Sequence, residues 1–71
     1  MEQFAKRLKY LRTERNLTQR ELADLLFLER STIAGYETKN KEPDLNTVIK
    51  IATILEVSTD YLLGLSDQLY K

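Results

Sequence analysis

Residues 17–37, LTQRELADLLFLERSTIAGYE, constrain the fold more than any other stretch of this chain. Thr18 followed three residues later by Glu21 has the T-x-x-E form of a capping box. In that motif the hydroxyl accepts from the third helical amide, and the glutamate accepts from the cap's own amide. Leu22, Ala23, Leu25 and Leu26 recur at helical spacing, so one face of this segment is expected to point inward. A break over 27–29 follows, and then a second helical run, 30–37, with only Ile33 and Tyr36 as inward anchors. Its other residues (Arg30, Ser31, Thr32, Ala34, Gly35) are small or hydrogen-bonding. A short helix with so narrow an apolar stripe gains little from core burial, and its outer face suits contact with something outside the protein.

The flanking pattern narrows the choice. Leu17-Thr18-Gln19, Glu21-Leu22-Ala23, Ser31-Thr32-Ile33, Tyr36-Glu37, Pro43 and the closing Val57-Ser58-x-Asp60-Tyr61-Leu62-Leu63-Gly64 together resemble the Cro and phage-repressor family of bacterial helix-turn-helix proteins. The resemblance covers about residues 4–64. It implies an all-α fold: a compact five-helix, lambda-repressor-like DNA-binding domain whose helices two and three form the helix-turn-helix. It also implies a sequence-specific regulator of transcription that binds double-stranded DNA, a repressor that meets a palindromic operator as a homodimer. Docking of 30–37 in a major groove accounts for its small polar face.

The same resemblance places individual residues. Arg30, Ser31 and Gly35 are expected at base edges, with Thr32 near a phosphate. Arg30 is the strongest reader, since an arginine fork on guanine is worth about 1–3 kcal/mol of discrimination. Ser31 is short and weakly selective, and Gly35 leaves the third reading position blank. A glycine inside a helix costs ~1 kcal/mol relative to alanine, and close approach of the helix backbone to DNA is the expected compensation. Gln19 is expected on a phosphate, with Arg20 beside it in a first turn whose amides are unpaired. Lys39, Asn40 and Lys41 follow the recognition helix, within reach of the phosphate backbone. Arg12 is expected to pair with Glu37, tying the first helix to the third.

Two residues depart from the family pattern. Phe27 stands where many relatives have glycine, and a bulky residue is expected to avoid φ > 0, so helix two should run on or the turn should change shape. Glu29 replaces the usual Ser or Thr cap. It suits a helix N-terminus but would face phosphates unless it accepts from a cytosine amino group.

The remaining elements follow from periodicity and caps. Phe4, Ala5, Leu8 and Leu11 give a first helix near 2–15, ended by Asn16, with Leu17 as the staple before Thr18. Residues 38–43 form a polar loop. Asp44 caps a fourth helix with Leu45, Val48, Ile49, Ala52 and Leu55 as its core stripe, widened by Ile51 and Ile54 towards a nearly buried central helix. Ser58 caps a fifth helix ended by Gly64. The tail, 65–71, carries apolar residues with little chain left to cover them. Tyr61, Leu62, Leu65 and Leu69 are expected to form a self-complementary patch across a two-fold axis.

Composition supplies the exclusions. Seventy-one residues make one domain, 1–71; both a full-length protein and the N-terminal domain of a longer repressor fit. There is no cysteine and no histidine, which removes disulfides, thiolate metal sites and the commonest general base. No metal or cofactor is expected. The carboxylate pairs Glu21/Asp24 and Glu56/Asp60 lie at solvent-face or cap spacing without a partner for catalysis, so no enzyme is expected. No apolar run approaches a membrane span, and a soluble cytoplasmic protein with no membrane contact follows. Eleven basic residues balance eleven acidic ones. They are unevenly placed: 6–20 carries Lys6, Arg7, Lys9, Arg12, Arg15 and Arg20 against Glu14 alone, while 56–67 carries only acids. The zero net charge, Glu29 and Gly35 leave a second reading open. In it the chain is an antitoxin or docking module whose main partner is a protein, such as a toxin or an antirepressor.

Overall fold

The computed structural model, which describes residues 1–70, places its helix ends where the local hydrogen-bonding chemistry directs. The elements are α1 (Glu2–Glu14), α2 (Gln19–Leu26), α3 (Arg30–Thr38), α4 (Leu45–Leu55) and α5 (Thr59–Leu62), with no strand among the described residues. Both halves of the α2 capping box form: Thr18 Oγ1 accepts from the Glu21 amide at 3.0 Å, and Glu21 Oε1 accepts from the Thr18 amide at 2.8 Å. Asp44 caps α4 by accepting from the Thr47 amide, and Ser58 caps α5 by accepting from the Tyr61 amide, both at 3.0 Å. Hydrogen bonding from Thr47 holds the Asp44 carboxyl below its usual range.

Three helices end on a left-handed residue that is not glycine: Asn16 (φ 56), Phe27 (φ 57) and Glu56 (φ 59). Each is followed by the same six-residue closure. Leu17 N donates to Arg12 O, Leu28 N to Ala23 O and Val57 N to Ala52 O, at 2.9 to 3.0 Å. This is the Schellman arrangement. Asn16 suits it, since asparagine tolerates the left-handed region. Phe27 overturns the expectation that helix two runs on or the turn changes shape. The chain takes the glycine-like conformation with a phenylalanine in it and leaves the ring 95% exposed.

The helices enclose one core in which Phe4, Leu8, Leu22, Ile33, Ile51 and Leu55 are fully buried, and the Phe4 and Tyr36 rings meet edge to face with centroids 5.8 Å apart. Burial, and secondly the charge of Asp44, push the Tyr36 phenol above its ordinary value. Three apolar residues expected inside lie outside. On α4 the inward face is Val48, Ile51, Ala52 and Leu55, while Leu45 is 79% exposed and Ile49 is half exposed. Leu25 on α2 is half exposed as well. Apolar residues surround α4 almost completely, so its contacts with α2 and α5 select the buried face, and Leu45 and Ile49 fall on the open side. Leu25, Phe27, Ile49 and Ile54 consequently line a shallow apolar concavity of about 250 Å³ between α2 and α4.

Residues 61–67 lie against Arg7 of α1. Arg7 Nη1 donates to the carbonyls of Tyr61 and Ser66, both at 2.6 Å, and Nη2 donates to Asp67 Oδ1 at 3.0 Å. The same guanidinium lies 4.1 Å from the centre of the Tyr61 ring. Further on, the Ser58 amide donates to Leu69 O at 2.7 Å. The last residue of the expected tail, Lys71, lies outside the described residues. No helix among the described residues is long and apolar enough to cross a membrane.

Candidate nucleic-acid interface

Placement of the site begins at a buried ion pair. Arg12, on α1, points its fork at Glu37 near the end of α3: Nε donates to Oε2 at 2.7 Å and Nη2 to Oε1 at 3.1 Å. The third arm, Nη1, donates to Leu17 O at 2.7 Å. The Arg12 side chain is 10% exposed and that of Glu37 1%. A bidentate pair so enclosed fixes both the angle of α3 against α1 and the loop that leads into α2.

From Glu37 the network runs outward. Gln19, in the first turn of α2, donates its Nε2–H to Glu37 Oε1 at 3.1 Å, and its Oε1 accepts from Arg30 Nη1 at 3.1 Å. The buried carboxylate thereby sets the sense of the Gln19 amide, and the amide in turn holds the exposed guanidinium of Arg30. One amide N–H of Gln19 is free of these bonds and available to a phosphate. Arg20, the next residue, is exposed at the same helix start.

On α3, Ile33 and Tyr36 point into the core, and Arg30 and Ser31 lie on the exposed side with Thr32 half-buried beside them. Glu29 stands at the N-cap without a side-chain capping bond. Arg30, Ser31, Thr32, Ala34, Gly35, Tyr36, Lys39 and Lys41 line one concavity of about 410 Å³. Three of these carry positive charge, so the surface suits a polyanion. The loop after α3 is turned by Asn40, at φ 52. The Lys39 amide closes α3 on Gly35 O at 3.0 Å, and the turn brings the Lys41 amide to the same oxygen at 3.2 Å.

Gly35 is not an open gap. It is buried, and a Cβ built on it would stand 3.2 Å from Lys41 Cδ and 3.7 Å from Cγ. The stem of the chain's own Lys41 thus lies close against the glycine. That contact was hidden in the sequence, although a glycine inside a short helix was its signal. The grip of Arg7 on the tail also went unseen, since nothing in the spacing of Arg7 points to residues some sixty positions away.

The expected dimer patch is divided by the structure. Leu62 is 0% exposed and belongs to the core, so it is removed from any contact between copies. Its place on α5, facing α1 and α4, accounts for this. Tyr61 is half-buried under Arg7, whereas Leu65 and, less fully, Leu69 reach solvent.

With this geometry in view, the chain can be compared with known proteins. A family model described as helix-turn-helix matches residues 8–62. The chain is 45% identical over 60 residues to the HTH-type transcriptional regulator YqaE of Bacillus subtilis, covering 84% of this chain and 52% of that one. It spans about half the length of the curated relatives it matches. Among solved structures it is similar to the restriction-modification controller protein C.AhdI of Aeromonas hydrophila. Identity there is 36% and the TM-score 0.78, over 86% of this chain and 92% of that chain. It is also similar to SinR, the master regulator for biofilm formation, solved in complex with DNA, at 26% identity and TM-score 0.78 over 84% and 97% of the two chains. SinR comes from Bacillus subtilis.

Proposed function

The chain belongs to the helix-turn-helix family, and from that premise we propose that it is a sequence-specific, double-stranded-DNA-binding regulator of transcription, a repressor that occludes a promoter. One observation carries the reading. α3 buries only a narrow stripe and presents a concavity lined by Arg30, Ser31, Lys39 and Lys41. A helix with that outer face fits a major groove. Arg30, oriented by Gln19, reads a guanine; Ser31 adds a weaker contact. Gln19, Arg20, Thr32, Lys39 and Asn40 hold phosphates and set the register. YqaE, 45% identical over 60 residues, carries the name of an HTH-type transcriptional regulator, which supports the same role here.

Two copies would read half-sites about 34 Å apart. The exposed Leu65, with Leu69 and Tyr70 behind it, supports pairing through the tail. The protein works in the cytoplasm, without cofactor or catalytic step. A second reading, a protein partner besides DNA, is favoured by the exposed Phe27 beside Leu25 and Ile49.

The test is a binding titration against random-sequence duplex pools at two salt concentrations, with Arg30→Ala alongside. Enrichment of a palindrome, weakened in the variant, is expected. Binding that salt erases, with no enriched sequence, would leave phosphate attraction alone and overturn the proposal in favour of a protein partner.

A further inference from the structure

We propose that Lys41, a loop residue, is a base reader: it delivers its ammonium to the groove across Gly35 and fills the reading position where α3 has no side chain. This rests on the DNA-binding reading above and adds a specificity-determining residue to it.

Ser31 and Gly35 are four residues apart on α3 and so share one face of the helix. At Gly35 that face is occupied by the Lys41 stem, with Cδ, Cγ and Cε at 3.2, 3.7 and 3.9 Å from the position of a Cβ. The stem is held at its base as well, because the Lys41 amide donates to Gly35 O at 3.2 Å and the left-handed Asn40 turns the loop into place. A lysine normally covers nearby surface with its methylenes and keeps the ammonium in water. With its stem laid against the glycine, Lys41 lines the same concavity as Arg30 and Ser31. None of the ion pairs among the described residues uses Lys41. Its ammonium is therefore available to the guanine O6 and N7 acceptors, which lysine recognises as arginine does.

A glycine at position 35 leaves room for this stem. Even an alanine Cβ would press on the lysine stem, and a larger side chain would displace it. Gly35 and Lys41 thus act as one reading unit assembled from two elements. Lys39, whose amide shares the same carbonyl, sits at the helix C-terminus and serves as the phosphate-binding counterpart.

The experiment selects binding sites from random-sequence duplexes with the wild-type chain, Lys41→Met, Gly35→Leu and Lys39→Met, and measures the salt dependence of each. Met keeps the unbranched apolar stem of lysine as far as the ε position and lacks the ammonium. Lys41→Met is expected to lose about tenfold discrimination at one or two adjacent base pairs, while the bases assigned to Arg30 stay selected. Gly35→Leu, which evicts the stem, is expected to lose the same positions. Lys39→Met is expected to weaken all sequences alike and lower the salt slope by about one. If Lys41→Met behaves as Lys39→Met does, with the motif intact, Lys41 is a phosphate contact and the proposal falls. If Gly35→Leu keeps the preference that Lys41→Met loses, the route across the glycine is wrong. If the wild-type chain itself enriches no motif, the DNA-reading function fails first and takes this inference with it.

Discussion

Phe27 holds a backbone conformation (φ 57, ψ 41) that its side chain does nothing to justify. The left-handed region costs an L-residue roughly 1–2 kcal/mol, and the exposed ring recovers almost none of this by burial. Glycine adopts the same angles freely, at the expense of extra freedom in the unfolded chain. Phe27→Gly is therefore expected to stabilise the free protein by about 1 kcal/mol, which is a rise of about 4–8 °C in Tm for a domain this size. Thermal unfolding followed by circular dichroism decides it. A lower Tm would mean that the ring packs into the concavity with Leu25 and Ile49 firmly enough to outweigh the strain. Keeping a strained, exposed aromatic where glycine would serve is what a surface for a protein partner would require. Loss of that partner in the same variant would connect the two observations.

Among elements, the tie between α1 and α3 is the one that sets the reading surface. Glu37→Ala leaves the enclosed Arg12 fork without its carboxylate and removes the acceptor that orients Gln19. Breaking a buried pair by deleting one partner costs roughly 3–5 kcal/mol, against a total of about 4–10 kcal/mol for a chain this short. Urea unfolding is expected to show that loss, with Glu37→Gln intermediate because its amide oxygen still accepts. A midpoint within experimental error of the wild type would show that α3 is positioned by Ile33 and Tyr36 alone. Elements were legible in the sequence where their signal is local. The bonds from Thr18, Asp44 and Ser58 each span three residues, so spacing alone announces them. The same logic places Arg30 and Ser31 outside the inward stripe of Ile33 and Tyr36 on α3. Leu45 and Ile49 fall outside because α4 is apolar nearly all round and its pattern selects no face, and Leu25 because Leu22, Ala23 and Leu26 already make the buried face of α2. The position of Lys41 depends on a single left-handed residue in a polar loop, Asn40, and no periodicity records that.

At the scale of the whole molecule, Arg7 ties α1 to α5 and the residues just after it, beside the core contact that Leu62 makes. Arg7 stands on α1 and bonds residues 54 to 60 positions away, while its guanidinium also covers the Tyr61 ring. Two of its acceptors are main-chain carbonyls with a part-buried donor, so these are charge-assisted bonds in partial shelter. The Asp67 carboxylate is fully open to water and adds little. Arg7→Ala removes the carbonyl bonds and the ring contact together, and bonds to a charged donor are worth about 1.5–3 kcal/mol net. A loss near 2 kcal/mol, or about 8–16 °C in Tm, is the expected outcome in thermal unfolding. Arg7→Lys should recover only part of it, since an ammonium cannot span both carbonyls and lie flat on the ring as the fork does. Asp67→Asn, by contrast, should leave the Tm nearly unchanged. The clamp also sets how Leu65 and Leu69 are presented. If pairing of two copies runs through the tail, Arg7→Ala should weaken self-association in sedimentation equilibrium at temperatures where the fold is intact. Unaltered association in that variant, with the Tm lowered as expected, would place the contact between copies elsewhere on the surface.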